Sequence, residues 1–188
     1  MLDLKQLTAD VCRIATEVGY FLKEERKNFR RERVVEKHAH DYVSYVDKES
    51  EVRVVKVLTA LLPEAGFITE EGSATYQDEP YCWVIDPLDG TTNYIHDEAP
   101  YCVSIALRSR TELLLGVVYE VCRDECFYAW KGGKAFMNGE EIHVSNVEDI
   151  KDAFVITELP YNHLQYKQTA LHLIDQLYGV VGGIRIDR

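Results

Sequence analysis

Apolar side chains recur with helical spacing at the start of the chain, where Leu7, Val11, Ile14, Ala15, Val18 and Leu22 fall on one stripe before a charged stretch over residues 23–33. This predicts an amphipathic helix. A second helix is predicted over residues 47–62, with Val52, Val55, Leu58 and Leu62 turned inward and Pro63 just past its end. The period then changes: Phe67-Ile68-Thr69 and Cys82-Trp83-Val84-Ile85 are short unbroken apolar runs, the pattern of strands covered on both faces. Strand candidates at residues 101–107, 113–121 and 125–130 follow with no helix between them, which predicts antiparallel pairing, and residues 131–140 are rich in turn formers. Residues 153–157 predict another strand, then a helix over 163–177 and an apolar stretch around Val180, the order that begins an α/β unit. The expected organisation is an amino-terminal α+β domain over residues 1–150 and the start of a second α/β domain over 151–188. No internal repeat or low-complexity segment interrupts it.

With 188 residues and 46% hydrophobic content, the chain suits one globular domain or two closely joined halves. A net charge of −11 argues against wrapping nucleic acid. The same charge repels an acidic substrate unless cations intervene, which favours a cation-bridged phosphate over a bare arginine pocket. Cys12, Cys82, Cys102, Cys122 and Cys126 are an odd set without zinc spacing, read as buried reduced thiols. No signal pattern and no apolar run of about 20 residues is visible, so a cytoplasmic, membrane-free location is expected.

The chemistry concentrates at residues 70–93. The strand ending at Ile85 delivers Asp86 at its carboxyl end, where open sheets bind ligands. Pro87 lacks a ladder N–H, so pairing is expected to stop there. Asp86 and Asp89 lie three apart across the turn with the Leu88 carbonyl between them, an oxygen set suited to a hard cation such as Mg²⁺. Gly90 permits a left-handed backbone, and Thr91 and Thr92 open a helical turn whose N–H groups suit an anion. Glu70 and Glu71 end the preceding strand. Taken singly, each piece is ordinary: paired loop acids are usually solvated, Asp-Gly-Thr-Thr is usually a turn and cap, and Asp47 caps a helix with Glu49 and Glu51 complementing its dipole. Together they serve one geometry. His38, His40 and His96 are read as surface or packing residues.

The string Trp83-Val84-Ile85-Asp86-Pro87-Leu88-Asp89-Gly90-Thr91-Thr92-Asn93 resembles the signature of the inositol monophosphatase family. Ile68-Thr69-Glu70-Glu71-Gly72 resembles its preceding Glu-Glu motif, and Asp41-Tyr42-Val43-Ser44-Tyr45-Val46-Asp47 its earlier Asp-x-Val-(Ser/Thr)-x-x-Asp segment. The likeness continues through Gly116-Val117-Val118-Tyr119, residues 132–139 and Thr157-Glu158-Leu159, spanning nearly the whole chain.

This resemblance implies a layered α-β-α-β-α sugar-phosphatase-like fold, homodimers, lithium sensitivity and Mg²⁺-dependent hydrolysis of a small phosphorylated polyol, most directly inositol 1-phosphate. It implies that Glu70, Asp86 and the Leu88 carbonyl hold one Mg²⁺ and that Asp86 and Asp89 hold part of a second. Asp47, Glu70 and Thr91 would orient and deprotonate the attacking water. Asp89, Gly90, Thr91 and Thr92 would contact substrate. Related phosphatases act on fructose 1,6-bisphosphate, histidinol phosphate or adenosine 3',5'-bisphosphate, and these are alternative substrates. The family's Gly-Ser segment and Trp-Asp motif, which completes the second metal site, are not in this sequence, and Asp187-Arg188 departs from its pattern. The carboxy-terminal domain is therefore expected to be incomplete, and a non-catalytic binding or assembly module is the third reading.

Overall fold

The computed structural model describes residues 2–29, 35–38, 41–43, 45–159 and 163–186, with backbone alone for 35–38 and 41–43. His40, Ser44, Asp187, Arg188 and the side chains of His38 and Asp41 lie outside the described residues. The chain divides into two units, residues 1–35 with 42–142 and residues 36–41 with 143–188. The expected boundary near residue 150 falls eight residues beyond the point where the first unit ends, at Ile142.

In the first unit, α1 (Leu4–Lys27) starts at Asp3, whose carboxylate accepts the Gln6 N–H at 3.0 Å. It buries the predicted stripe together with Thr8 and Gly19. Gly19 is where α1 crosses the sheet: a Cβ there would overlap the Tyr119 ring. Two short strands, β1 (Val35–His38) and β2 (Asp41–Val43), pair with each other, and residues 36–41 belong to the second unit.

The helix α2 (Tyr45–Leu61) forms, but its buried face differs from the expected one. Val52 is 56% exposed, whereas Val46, Asp47, Ser50, Glu51, Val54 and Leu58 are buried. A periodicity read from apolar residues alone turned the helix too far, because three of its six buried residues are polar. Leu58 points inward, as expected, and Leu62 beyond the helix end is also buried.

Seven strands follow in the order β3 (Ala65–Thr69), β4 (Tyr81–Asp89), β5 (Cys102–Ser109), β6 (Leu113–Glu120), β7 (Glu125–Trp130), β8 (Ala135–Met137) and β9 (Glu140–Ile142), adjacent in that order in one sheet. The first pair is parallel and every later pair antiparallel. The turn-rich stretch thus hides a small hairpin. Its turn, Asn138-Gly139, has φ values of 49° and 90°, the doubly positive geometry in which Asn-Gly is favoured.

Alternate residues of the sheet, among them Trp83, Ile85, Val103, Ile105, Leu107, Leu115, Val117 and Tyr119, join the α1 and α2 stripes in one core. The opposite face carries Ser104, Ala106, Gly116, Val118, Phe127 and Ala129, which line an open apolar groove of about 360 Å³ without a carboxylate. Between β4 and β5, α3 (Thr91–His96) is tied down by Tyr94. Its ring meets Phe29 and Tyr101 edge-on, and its hydroxyl donates to the Leu22 carbonyl at 3.0 Å. The five cysteines are free thiols, and Cys122 is exposed, contrary to the expectation of burial. The Cys126 neighbour and burial raise the Cys12 thiol above its usual range.

In the second unit, β10 (Phe154–Thr157), α4 (Lys167–Leu177) and β11 (Gly183–Ile186) form a strand-helix-strand unit with the two strands parallel. No helix among the described residues is long and apolar enough to cross a membrane.

Candidate active site

Parallel pairing of β3 with β4 ends at Thr69 opposite Ile85, so Glu70, just past β3, and Asp86, still within β4, follow at the same level. Pairing does not stop at Pro87, however. β4 stays in register with β5 through Asp86 opposite Ser104 and resumes with Asp89 opposite Cys102, three steps against two. This is a bulge, and proline serves there because it has no N–H to leave unpaired. Leu88 is 1% exposed, so its side chain anchors the bulge in the core. Its N–H donates to Asp86 Oδ1 at 3.2 Å and so orients that carboxylate.

The other half of the site comes from α2 and α3. Thr91 Oγ1 lies 2.8 Å from Asp47 Oδ1 and 3.1 Å from the Leu88 carbonyl. The hydroxyl has one proton, and the carboxylate is the nearer and stronger acceptor. Asp47 is 3% exposed in the first turn of α2 and bonds across to α3; it is not simply a cap. Gly90 has φ 98°, and a Cβ there would lie 3.0 Å from the Pro100 carbonyl oxygen, so the step from β4 into α3 requires glycine. Thr91 and Thr92 open α3, and N–H groups of a first helical turn lie outside the helix's own ladder. Asn93 Nδ2 donates to the Pro100 carbonyl at 2.9 Å and braces the return to β5.

Electrostatics bind these acids into one group. Burial, and next the charge of Asp89, push the Asp86 carboxyl above its ordinary value, with Asp47 adding a smaller push. The hydrogen bond shared with Glu70 and the one from the Leu88 N–H pull the other way without prevailing. Asp47, Glu70, Asp86 and Asp89 therefore converge, and negative charge is concentrated where a cation would offset it. Among the described residues, no group of three or more His, Cys, Asp or Glu side chains is closed upon one ion position. Mg²⁺ typically takes one or two carboxylates and keeps water for the rest, which this oxygen set can supply. Cys102 Sγ lies 3.8 Å from Asp89 Oδ2, and burial with the Asp89 charge pushes its thiol up to about 12. His96 is exposed at the far end of α3.

One residue at this site escaped the sequence reading. Glu51, assigned there only to the helix dipole, is 0% exposed. Its carboxylate accepts the Glu71 N–H at 2.6 Å and the Ser73 N–H at 2.8 Å. The available signal was its position four residues after Asp47, on the same helical face.

Similarity to known proteins extends over most of the chain. An "Inositol monophosphatase" of Dictyostelium discoideum is 36% identical over 165 residues, covering 86% of this chain and 60% of its own length. A "Fructose-1,6-bisphosphatase/inositol-1-monophosphatase" of Aquifex aeolicus is 34% identical over 177 residues, covering 94% of this chain and 67% of its own. The crystal structure of the extragenic suppressor protein SuhB of Bartonella henselae superposes with a TM-score of 0.87 at 32% identity, covering 96% of this chain and 70% of that one. The chain thus spans about three fifths of the Dictyostelium relative's length. The profile of the inositol monophosphatase family matches residues 3–181, and the chain belongs to that family.

Proposed function

We propose that this chain carries the catalytic half of a Mg²⁺-dependent phosphomonoesterase that hydrolyses a small phosphorylated polyol, inositol 1-phosphate first among candidates, as a cytoplasmic homodimer. The observation that carries this reading is the meeting of the Asp47–Thr91 hydrogen bond with the acids at the ends of β3 and β4. Glu70, Asp86 and the Leu88 carbonyl would hold one Mg²⁺, and Asp86 with Asp89 part of a second. The ion would lower the pKa of a water and offset charge on the phosphate. Asp47 takes the Thr91 proton into its hydrogen bond, which leaves the Thr91 oxygen as acceptor for a proton of the attacking water. Glu70 receives the other proton. The N–H groups of Gly90, Thr91 and Thr92 hold phosphate oxygens, and the side chain of Asp89 faces the substrate.

A fructose bisphosphate is the second substrate class, favoured by the double name of the Aquifex relative. Phosphate release from inositol 1-phosphate, fructose 1,6-bisphosphate, histidinol phosphate and adenosine 3',5'-bisphosphate, with and without Mg²⁺, separates the two. The expected result is Mg²⁺-dependent turnover that Asp89→Asn reduces by about 10²–10³-fold. Turnover indifferent to Mg²⁺ or to Asp89→Asn overturns the proposal. No turnover with any substrate would favour a binding or assembly module.

A further inference from the structure

Glu51 does more than fill the core. A carboxylate with no exposed surface is unfavourable unless its charge is met by hydrogen bonds. Here both oxygens are used: Oε2 takes the Glu71 N–H at 2.6 Å and Oε1 the Ser73 N–H at 2.8 Å. Such charge-assisted bonds are the short, strong kind. Between the two donors Gly72 has φ 75°, and it is this left-handed step that turns both N–H groups toward one anion. The segment 71–73 is thus an anion-binding concavity already filled from within the protein, and Glu70 is the residue immediately before it.

On α2, Glu51 lies one helical turn beyond Asp47. The two acids reach in different directions: Asp47 to Thr91 on α3, Glu51 to the turn that carries Glu70. One helix face therefore sets the spacing between the Thr91 hydroxyl and the Glu70 carboxylate.

Resting on the phosphatase reading above, we propose that Glu51 is a positioning residue, clamping the 70–73 turn so that Glu70 meets Asp86 at the spacing the cation and the water require. It touches neither substrate nor ion. Its effect passes through Glu70.

The test is Glu51→Gln in the full chain, read by calorimetric titration with Mg²⁺, by the Mg²⁺ half-saturation of phosphate release and by amide hydrogen exchange. The amide oxygen of glutamine satisfies one N–H, and its NH₂ opposes the other. The expected result is Mg²⁺ affinity weaker by about 10–100-fold, the range for residues that orient metal ligands, with kcat recovered at saturating Mg²⁺. Exchange at Glu71 and Ser73 should accelerate while β5 stays protected. If Glu51→Gln fails to fold, Glu51→Asp, which keeps the charge on a shorter stem, should show the same changes in smaller measure. Lower thermal stability with unchanged Mg²⁺ affinity and half-saturation overturns the proposal. If the wild-type chain takes up no Mg²⁺, the phosphatase reading fails separately, and equal exchange at Glu71 and Ser73 in both proteins then overturns the positioning role.

Discussion

The two units are written in the same alphabet of strands and amphipathic helices, yet among the described residues one has a buried core and the other does not. In the first, Trp83, Ile105, Leu107, Leu115 and Tyr119 are all at most 1% exposed. In the second, no described residue from 143 onward is buried, and Phe154 and Ile156 on β10 remain 59% and 64% exposed. Apolar pattern does not explain the contrast, because β10 is as apolar as much of β5. Layer count does: seven strands under two long helices enclose side chains, whereas two strands and one helix leave their faces open. The chemistry sorts the same way. Asp47, Glu70, Asp86 and Asp89 hang from the part of the molecule that has a buried scaffold to aim them.

The sharpest way to break this comparison is to empty the core beneath the site. Trp83→Ala should cost about 3–5 kcal/mol, a large share of the stability of a typical domain, measured by urea denaturation followed by far-ultraviolet circular dichroism. Next in size, Thr91→Val should lower kcat by at least about 100-fold while costing about 1–3 kcal/mol of stability. Phosphate release with a parallel melt distinguishes the two, and an equal loss of both would make Thr91 a packing residue. The smallest effect is expected at Ile156→Ala, within about 0.5 kcal/mol. A loss at Ile156 approaching that at Trp83 would mean that the apolar face of β10 is covered in solution, and the contrast between the units would collapse.

Much of this could be read from residue types alone, and the exceptions share a cause. The α1 stripe was legible because every member but Thr8 and Gly19 is apolar, and β4 because an unbroken apolar run ends at an acid. The inward face of α2 was not, because Asp47 and Glu51 are buried against partners 20 or more residues away, which periodicity does not register. Pro87 predicts an end to pairing, since the sequence shows a missing N–H but not the bulge that makes the loss harmless. The β8–β9 hairpin carried an overt Asn-Gly signal, but strands of three residues are too short to display a period of two. For the site, the acids of the Asp-Pro-x-Asp turn were visible in their own string. Glu51 was hidden because its importance lies in two backbone amides, which leave no trace in side-chain identity.

The bulge in β4 has a mechanical consequence. Beyond Ile85 the strand has lost its neighbour β3, the outermost strand of the sheet, but still holds β5 through Asp89. The segment bearing Asp86 and Asp89 is therefore a ledge whose backbone is paired along one margin only. On its other margin the hold passes from backbone to side chains, with Glu70 bonded to Asp86 there and Leu88 pinned in the core.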